Sequence, residues 1–300
     1  MRAVNVLVGF ARPHTVLATT VQVLTLCLIV GGRAALVRDS LPLVALTLAA
    51  CLALNLYVVG LNQLTDVAID KVNKPWLPIA AGTLTPAQGR ALVLGAAGAA
   101  LGLAALAGPY LLLTVLLIML IGSAYSLPPV RLKRFPLAAA LSIASARGVI
   151  ANLGLALHYQ AHFGGALPLL TLGLLGCFFF GFGLVIAIYK DIPDDEGDSL
   201  HAIETFTTRL GKRRALGLGR AVLTLCYALP ISLALVGLPR GDALFLLVSH
   251  AVIIALFWAV SARVDLGQQR SITSFYMFLW ALFYIEFGVL SVYQLARAVA

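Results

Sequence analysis

Two short acidic runs, NQLTDVAID at 62–70 and KDIPDDEGD at 190–198, hold seven of the chain's 12 acidic residues, and each closes a long apolar stretch. In the first, Asn62, Asp66 and Asp70 recur at i, i+4 and i+8. On a continuous helix that spacing stacks three oxygen-bearing side chains on one face over roughly 12 Å. In the second, Asp191, Asp194 and Asp198 recur at i, i+3 and i+7 and share a face if the helix continues. The doublet Asp194-Asp195 leaves open which of the two turns inward. Two facing rows of carboxylates are the donor set with which hard divalent cations hold a diphosphate. A helix should stop before Pro75, so Asp66 and Asp70 are expected near a helix C-terminus, with Asp191 in the equivalent place later. The helix dipole disfavours negative charge there by a few tenths to about 1 kcal/mol each. Solvated acids paired with Lys71, Lys74 and Lys190 are the plain alternative. Two matched clusters at the unfavourable ends of helices favour a cation-bound anion instead.

Basic and aromatic residues suit the same chemistry. The segment AYSLPPVRLKR at 124–134 sets Arg131, Lys133 and Arg134 where they can hold phosphate oxygens or simply anchor the chain at the membrane surface. Lys190, heading the second run, joins these candidate substrate cations. Arg147 falls inside an apolar helix, where a guanidinium is costly and needs a partner. A substrate anion in a cavity and the late acid Glu286 are the two partners considered. Tyr57, Trp76, Tyr125, Phe178, Phe179, Phe180, Phe182 and Tyr189 gather near the acidic ends, where aromatic faces stabilise a carbocation. Tyr125 is the candidate among them; the Phe178–Phe180 run reads better as lipid-facing or core packing. His14 has no assigned role.

These residues are carried by a membrane-spanning chain. It is 61% hydrophobic and 11% charged over 300 residues, where soluble domains carry about 25% charge. Apolar windows fall near 14–32, 41–65, 88–107, 109–127, 137–157, 167–189, 215–237, 243–262 and 273–295. The fold class expected is all-α, one integral domain over 1–300. With the N-terminus cytoplasmic, 16 of the 21 basic residues lie on that side; Arg33, Arg38, Arg240 and Arg297 lie opposite, and Arg147 is intramembrane. Both acidic runs share the basic face, so the net charge of +9 reflects topology, and no nucleic-acid motif accompanies it. The first helix reads as retained, no transit peptide precedes it, and a prokaryotic inner membrane is expected. Cys27, Cys51, Cys177 and Cys226 lack metal-type spacing and read as packing residues. The acidic runs recur about 125 residues apart, each followed by a basic loop, GRAL at 89–92 or RRAL at 213–216. That faint repeat predicts two four-helix halves plus a ninth helix, with the site between the halves.

The motifs ARPHT (11–15), LNQLTDVAIDKVNKPWLPIAAG (61–82), AYSLPPVRLKR (124–134), ARGVIANLG (146–154) and KDIPDDEGD (190–198) resemble those of the UbiA superfamily of intramembrane prenyltransferases. Within it they are most similar to the homogentisate prenyltransferases of tocopherol and plastoquinone synthesis. The resemblance implies nine helices around a cavity open to the cytoplasm and laterally to lipid, Mg²⁺, and a polyprenyl diphosphate donor. Carried onto matching positions, Asn62, Asp66, Asp70, Asp191, Asp194 and Asp198 are the metal and diphosphate site. Lys74, Lys133 and Arg134 are the phosphate cations. The implied reaction transfers a phytyl or geranylgeranyl group to homogentisate with loss of CO₂, and Arg147 is the candidate for steering the acceptor carboxylate. Other acceptors (4-hydroxybenzoate, naphthoate, chlorophyllide, haem) and an acceptor-free cyclase are the alternatives within the superfamily, and no obligate protein partner is implied. Outside it, an ion-coupled transporter would carry its acids at mid-bilayer in broken helices. A CDP-alcohol phosphotransferase would open its motif on Asp-Gly, a pair this chain lacks.

Overall fold

Proline opens most of the early helices: Pro13, Pro86, Pro109 and Pro136 each take a first helical position, where a missing N–H is harmless. The structure is a computed structural model and describes residues 2–200, 203–238 and 240–299. Its helices begin with α1 (Arg2–Ala11), α2 (Pro13–Gly31), α3 (Leu41–Thr65), α4 (Val67–Asn73), α5 (Pro86–Ala107) and α6 (Pro109–Ser126). α7 (Pro136–Ala144) runs through a π-helical turn (Ser145–Ile150) into α8 (Ala151–Phe163). The rest are α9 (Leu169–Lys190), α10 (Asp195–Leu200), α11 (Phe206–Leu210), α12 (Lys212–Val236), α13 (Arg240–Ser261) and α14 (Gln269–Val299).

Among the described residues, nine helical segments are long and apolar enough to cross a bilayer, and each expected span coincides with one of them. No strand is present among those residues. Their outward side chains are apolar too: Leu94, Leu106 and Leu225 are all more than two-thirds exposed, which only lipid makes inexpensive. The chain is an all-α integral membrane protein. The first four spans pack on one another through α3, the next four through α9 and α12, and α14 closes the ring against α2 and α9. The side chains of Arg2 and Arg240, counted above on opposite faces, lie outside the described residues.

Interior packing answers two of the sequence questions. Phe178 and Phe179 are core residues, and Phe179 stacks on Phe287 with ring centroids 4.0 Å apart. Glu286 is not the partner of Arg147. It meets His250, Oε1 to Nε2 at 3.1 Å, in a fully buried pair between α13 and α14. A close crossing brings α9 to the π-helical turn: a Cβ at Gly148 would lie 2.3 Å from the Phe180 nitrogen, and one at Gly183 2.6 Å from the Ala144 Cα. Only glycine lets the backbones approach this far.

The helix expected through 62–70 is broken. α3 ends at Thr65, whose hydroxyl donates to the Asn62 carbonyl at 3.0 Å in competition with the backbone ladder. Asp66 (φ −115°, ψ 17°) leaves the helix and precedes α4. Asp66 caps the C-terminus of α3, and Asp70 sits midway along the seven-residue α4, its carbonyl accepting the Lys74 backbone N–H. The second run breaks alike. α9 stops at Lys190, Asp191 and Asp194 lie in the connection, Pro193 supplies no N–H to continue the helix, and α10 starts at Asp195.

Candidate active site

Breaking at the acids turns α4 and α10 across the ends of α3 and α9 and brings two motifs 125 residues apart into contact. Asn73 makes the join: its Oδ1 accepts from the Gly197 backbone N–H at 2.8 Å, and its Nδ2 donates to Asp198 Oδ1 at 3.4 Å. A Cβ at Gly197 would fall 2.4 Å from Asn73 Oδ1, so this approach requires glycine. Beside it, Lys74 forms an ion pair with Asp194. Asp195 points away, toward Lys212 at 3.8 Å. Of the doublet, Asp194 is the residue that faces inward.

Behind this join lies a cavity of about 580 Å³. Asn62, Asp66, Asp70, Lys74, Lys133, Lys190, Asp191, Asp194, Asp198, Tyr125 and Arg147 all line it. The acids are at its mouth, at helix ends rather than at mid-bilayer as a transporter would have them. Lys133, 8% exposed, pairs with Asp66 and donates to Thr65 Oγ1 at 2.9 Å. Lys190 Nζ meets Asp191 Oδ1 at 2.6 Å. Burial pushes Asp70 up to about 6 and Asp198 up to about 7 against the pull of Lys74 and other cations. Asp191 is raised by the same cause, and Lys133 is lowered by burial despite Asp66. Buried acids of this kind gain from any cation that reaches them.

Two expected phosphate cations stand elsewhere. Arg131 does not line the cavity but reaches Asp66 Oδ1 from outside at 3.4 Å. Arg134 is exposed, with its guanidinium 5.0 Å from the Phe135 ring centroid, because the 3₁₀ turn at Leu132–Arg134 sets successive side chains about 120° apart. Only Lys133 turns in. Conversely, Arg12 lines the cavity and donates to Asn62 Oδ1 at 3.2 Å. Its motif, ARPHT, was visible, but its basic side chain was indistinguishable from a membrane anchor. Arg12 (φ 54°) and Arg131 (φ 40°) are the two non-glycine residues with positive φ among those described, and both serve the first acidic motif. Such strained backbone persists where the surroundings over-determine it.

Deeper in, Arg147 sits on the π-helical turn with its guanidinium 5.4 Å from the Trp280 ring centroid. Among the described residues no acid lies within ion-pairing distance of it. The π turn disturbs the helical ladder, and Gln22 Nε2 takes the Arg147 carbonyl at 3.2 Å and Asn152 Oδ1 at 2.6 Å. His14 packs on the same indole at 5.0 Å, and Tyr276 also lines this wall. Cys51, expected as packing only, reaches the cavity at its inner end. Tyr57 does not line it and bonds Ser123 Oγ at 2.7 Å.

The residues fit a divalent cation. The donors are hard carboxylate oxygens, and Asp70 Oδ2 is buried without a hydrogen-bond partner. No three His, Cys, Asp or Glu among the described residues form a metal-binding group by themselves. A hard divalent cation can still be held by one or two carboxylates, with other oxygen ligands completing its shell.

The chain is similar to known proteins along most of its length. The chain is 43% identical over 286 residues to a homogentisate phytyltransferase of Synechocystis sp., covering 93% of this chain and 92% of that one. It is 37% identical to homogentisate phytyltransferase 1 of Arabidopsis thaliana, over 94% and 73% of the two chains. Among solved structures, a UbiA homolog from Archaeoglobus fulgidus bound to GPP and Mg²⁺ has the same fold, with TM-score 0.68 at 16% identity over 97% of this chain and 99% of that one. The UbiA prenyltransferase family model matches residues 20–282. With its two acidic motifs joined at the mouth of an intramembrane cavity, the chain belongs to the UbiA prenyltransferase family.

Proposed function

We propose that the whole chain is one catalytic domain that transfers a phytyl or geranylgeranyl group from its diphosphate to homogentisate, with Mg²⁺ and with loss of the acceptor's carboxylate as CO₂. The observation that carries this reading is the junction of two acidic motifs, through Asn73–Asp198 and Lys74–Asp194, over an apolar intramembrane cavity. The names of the similar proteins from Synechocystis sp. and Arabidopsis thaliana support the acceptor.

Asp66 and Asp70 on one side, with Asp191, Asp194 and Asp198 on the other, would hold the ion and through it the diphosphate, Asn62 adding an amide oxygen. Bound there, Mg²⁺ supplies positive charge that makes diphosphate a good leaving group. Lys74, Lys133, Lys190 and Arg12 supply fixed positive charge around the same oxygens. Tyr125, a lining residue near Lys190 and Asp191, would offer its aromatic ring to the carbon that loses diphosphate. The apolar walls keep water from that carbon while the acceptor ring attacks it. Arg147, without an acid of its own, takes the carboxylate of homogentisate, and Trp280 and His14 pack about the ring. The mouth faces the cytoplasm of a prokaryotic cell, the side that carries most of the basic residues.

The test is membranes supplied with Mg²⁺, labelled homogentisate and a panel of prenyl diphosphates, with products identified by mass. A prenylated, decarboxylated quinol is expected. Products only from 4-hydroxybenzoate, naphthoate or chlorophyllide would reject the acceptor and keep the family chemistry.

A further inference from the structure

A second groove, of about 380 Å³, lies outside the cavity, between the start of α7 and the short helix α11. Phe135, Pro136, Leu137, Phe206, Arg209 and Leu210 line it, and apart from the arginine all are apolar. Phe135 is 47% exposed, Leu137 63% and Leu210 40%. The groove sits where two spans enter the bilayer, Pro136–Phe163 and Lys212–Val236. Lys133, shortly before Pro136, is paired with Asp66 at the cavity mouth, so the groove is on the same face as the acids. At that level hydrocarbon gives way to headgroups.

Two arginines stand at the groove. Arg134 sets its guanidinium against the Phe135 ring, a contact that consumes none of its N–H donors. Among the described residues its side chain has no ion pair and no hydrogen bond. Arg209, itself a lining residue, gives Nη2 to Glu204 in an exposed pair and keeps its other donors. Neither arginine lines the central cavity. Both guanidinium groups suit the oxygens of a phosphate.

We propose that this groove binds one anionic phospholipid of the surrounding leaflet. Its phosphate lies between Arg134 and Arg209, and one acyl chain lies on Phe135, Leu137, Phe206 and Leu210. Charge complementarity favours this occupant: a zwitterionic lipid brings a cation of its own to two arginines, and a soluble anion leaves the apolar wall in water. Bound there, the lipid ties the turn that carries Lys133 to α11. The site is independent of the donor and acceptor assigned above. It also differs from a general basic surface. Arg213 and Arg214, opening α12, are exposed as well but line neither the groove nor the cavity, and they supply the unspecific attraction.

The experiment is thermal stabilisation of the purified protein in detergent, titrated with phosphatidylglycerol or phosphatidylcholine of the same acyl chains. Phosphatidylglycerol should act at a concentration at least fivefold lower. Arg134→Gln with Arg209→Gln should bring the two lipids within twofold of each other. Arg213→Gln with Arg214→Gln removes the same charge and should keep at least a threefold preference. Leu137→Trp fills the groove without changing charge and should weaken phosphatidylglycerol at least fivefold. Equal action of the two lipids on the unmodified protein, or equal loss of preference from the two arginine pairs, overturns the site. Glycerophosphoglycerol, the headgroup without chains, should not stabilise at the same concentrations; if it does, the ligand is a free anion and the lipid assignment falls. Should the Arg134 and Arg209 variant not fold, Leu137→Trp decides, and unchanged phosphatidylglycerol affinity in it overturns the proposal.

Discussion

Asp66, Asp70, Asp191 and Asp198 contribute oxygens from four separate backbone positions to one cavity mouth, so none can substitute for another. Alanine at any of them should lower kcat by about a thousandfold or more while the protein still inserts and purifies. Two such variants with near wild-type turnover in Mg²⁺ would sink the assignment. Arg147 separates the two substrates. Arg147→Leu should raise the acceptor KM or lower kcat and leave the prenyl diphosphate KM nearly unchanged. A parallel rise in both KM values would move Arg147 to the donor. The acids were legible because few charges occur in this chain and theirs are clustered. Arg12 was not, because an arginine that anchors and one that reaches inward differ only in backbone conformation, here φ 54°.

Helix breaks decide the geometry at the next scale. Continuous helices would have carried Asp70 and Asp198 away from the membrane along their own axes; the breaks at Asp66 and Asp191 fold α4 and α10 over the cavity instead. Spacing predicted which residues gather but not the turn that gathers them, since i, i+4 periodicity reads the same on either side of a break. The late helices are fastened separately by His250 and Glu286, and Glu286 Oε2 has no further hydrogen-bond partner. Glu286→Leu should destabilise the protein by about 3–5 kcal/mol, and adding His250→Leu should recover much of that loss. Arg147→Leu combined with Glu286→Leu should be additive, because the two residues share no contact. Thermal unfolding in detergent measures all of these; rescue of Glu286→Leu by Arg147→Leu would contradict the pairing described.

For the molecule as a whole, the distribution of basic residues predicts the orientation in the membrane. In a cysteine-free background, a membrane-impermeant thiol reagent applied from the cytoplasmic side should label cysteines at Val72, Leu132 and Arg213, and miss those at Leu36 and His162. Labelling at Leu36 with protection at Arg213 would invert the protein and place the cavity mouth on the other face.

Hydropathy and charge placement by themselves determined the membrane class and the positions of the spans among the described residues. Each rests on a local property: a residue's transfer energy into lipid, or its sequence distance from a span's end. Only the tertiary structure decided that Asp194 rather than Asp195 faces the cavity, that Lys133 turns in while Arg134 turns out, and that Glu286 belongs to His250. It also brought Thr47 and His158, 111 residues apart, into a buried hydrogen bond. These are choices of direction and partner between side chains of equal or nearly equal composition. They are settled by which helix packs opposite, a term that depends on the whole bundle and on no single stretch of it.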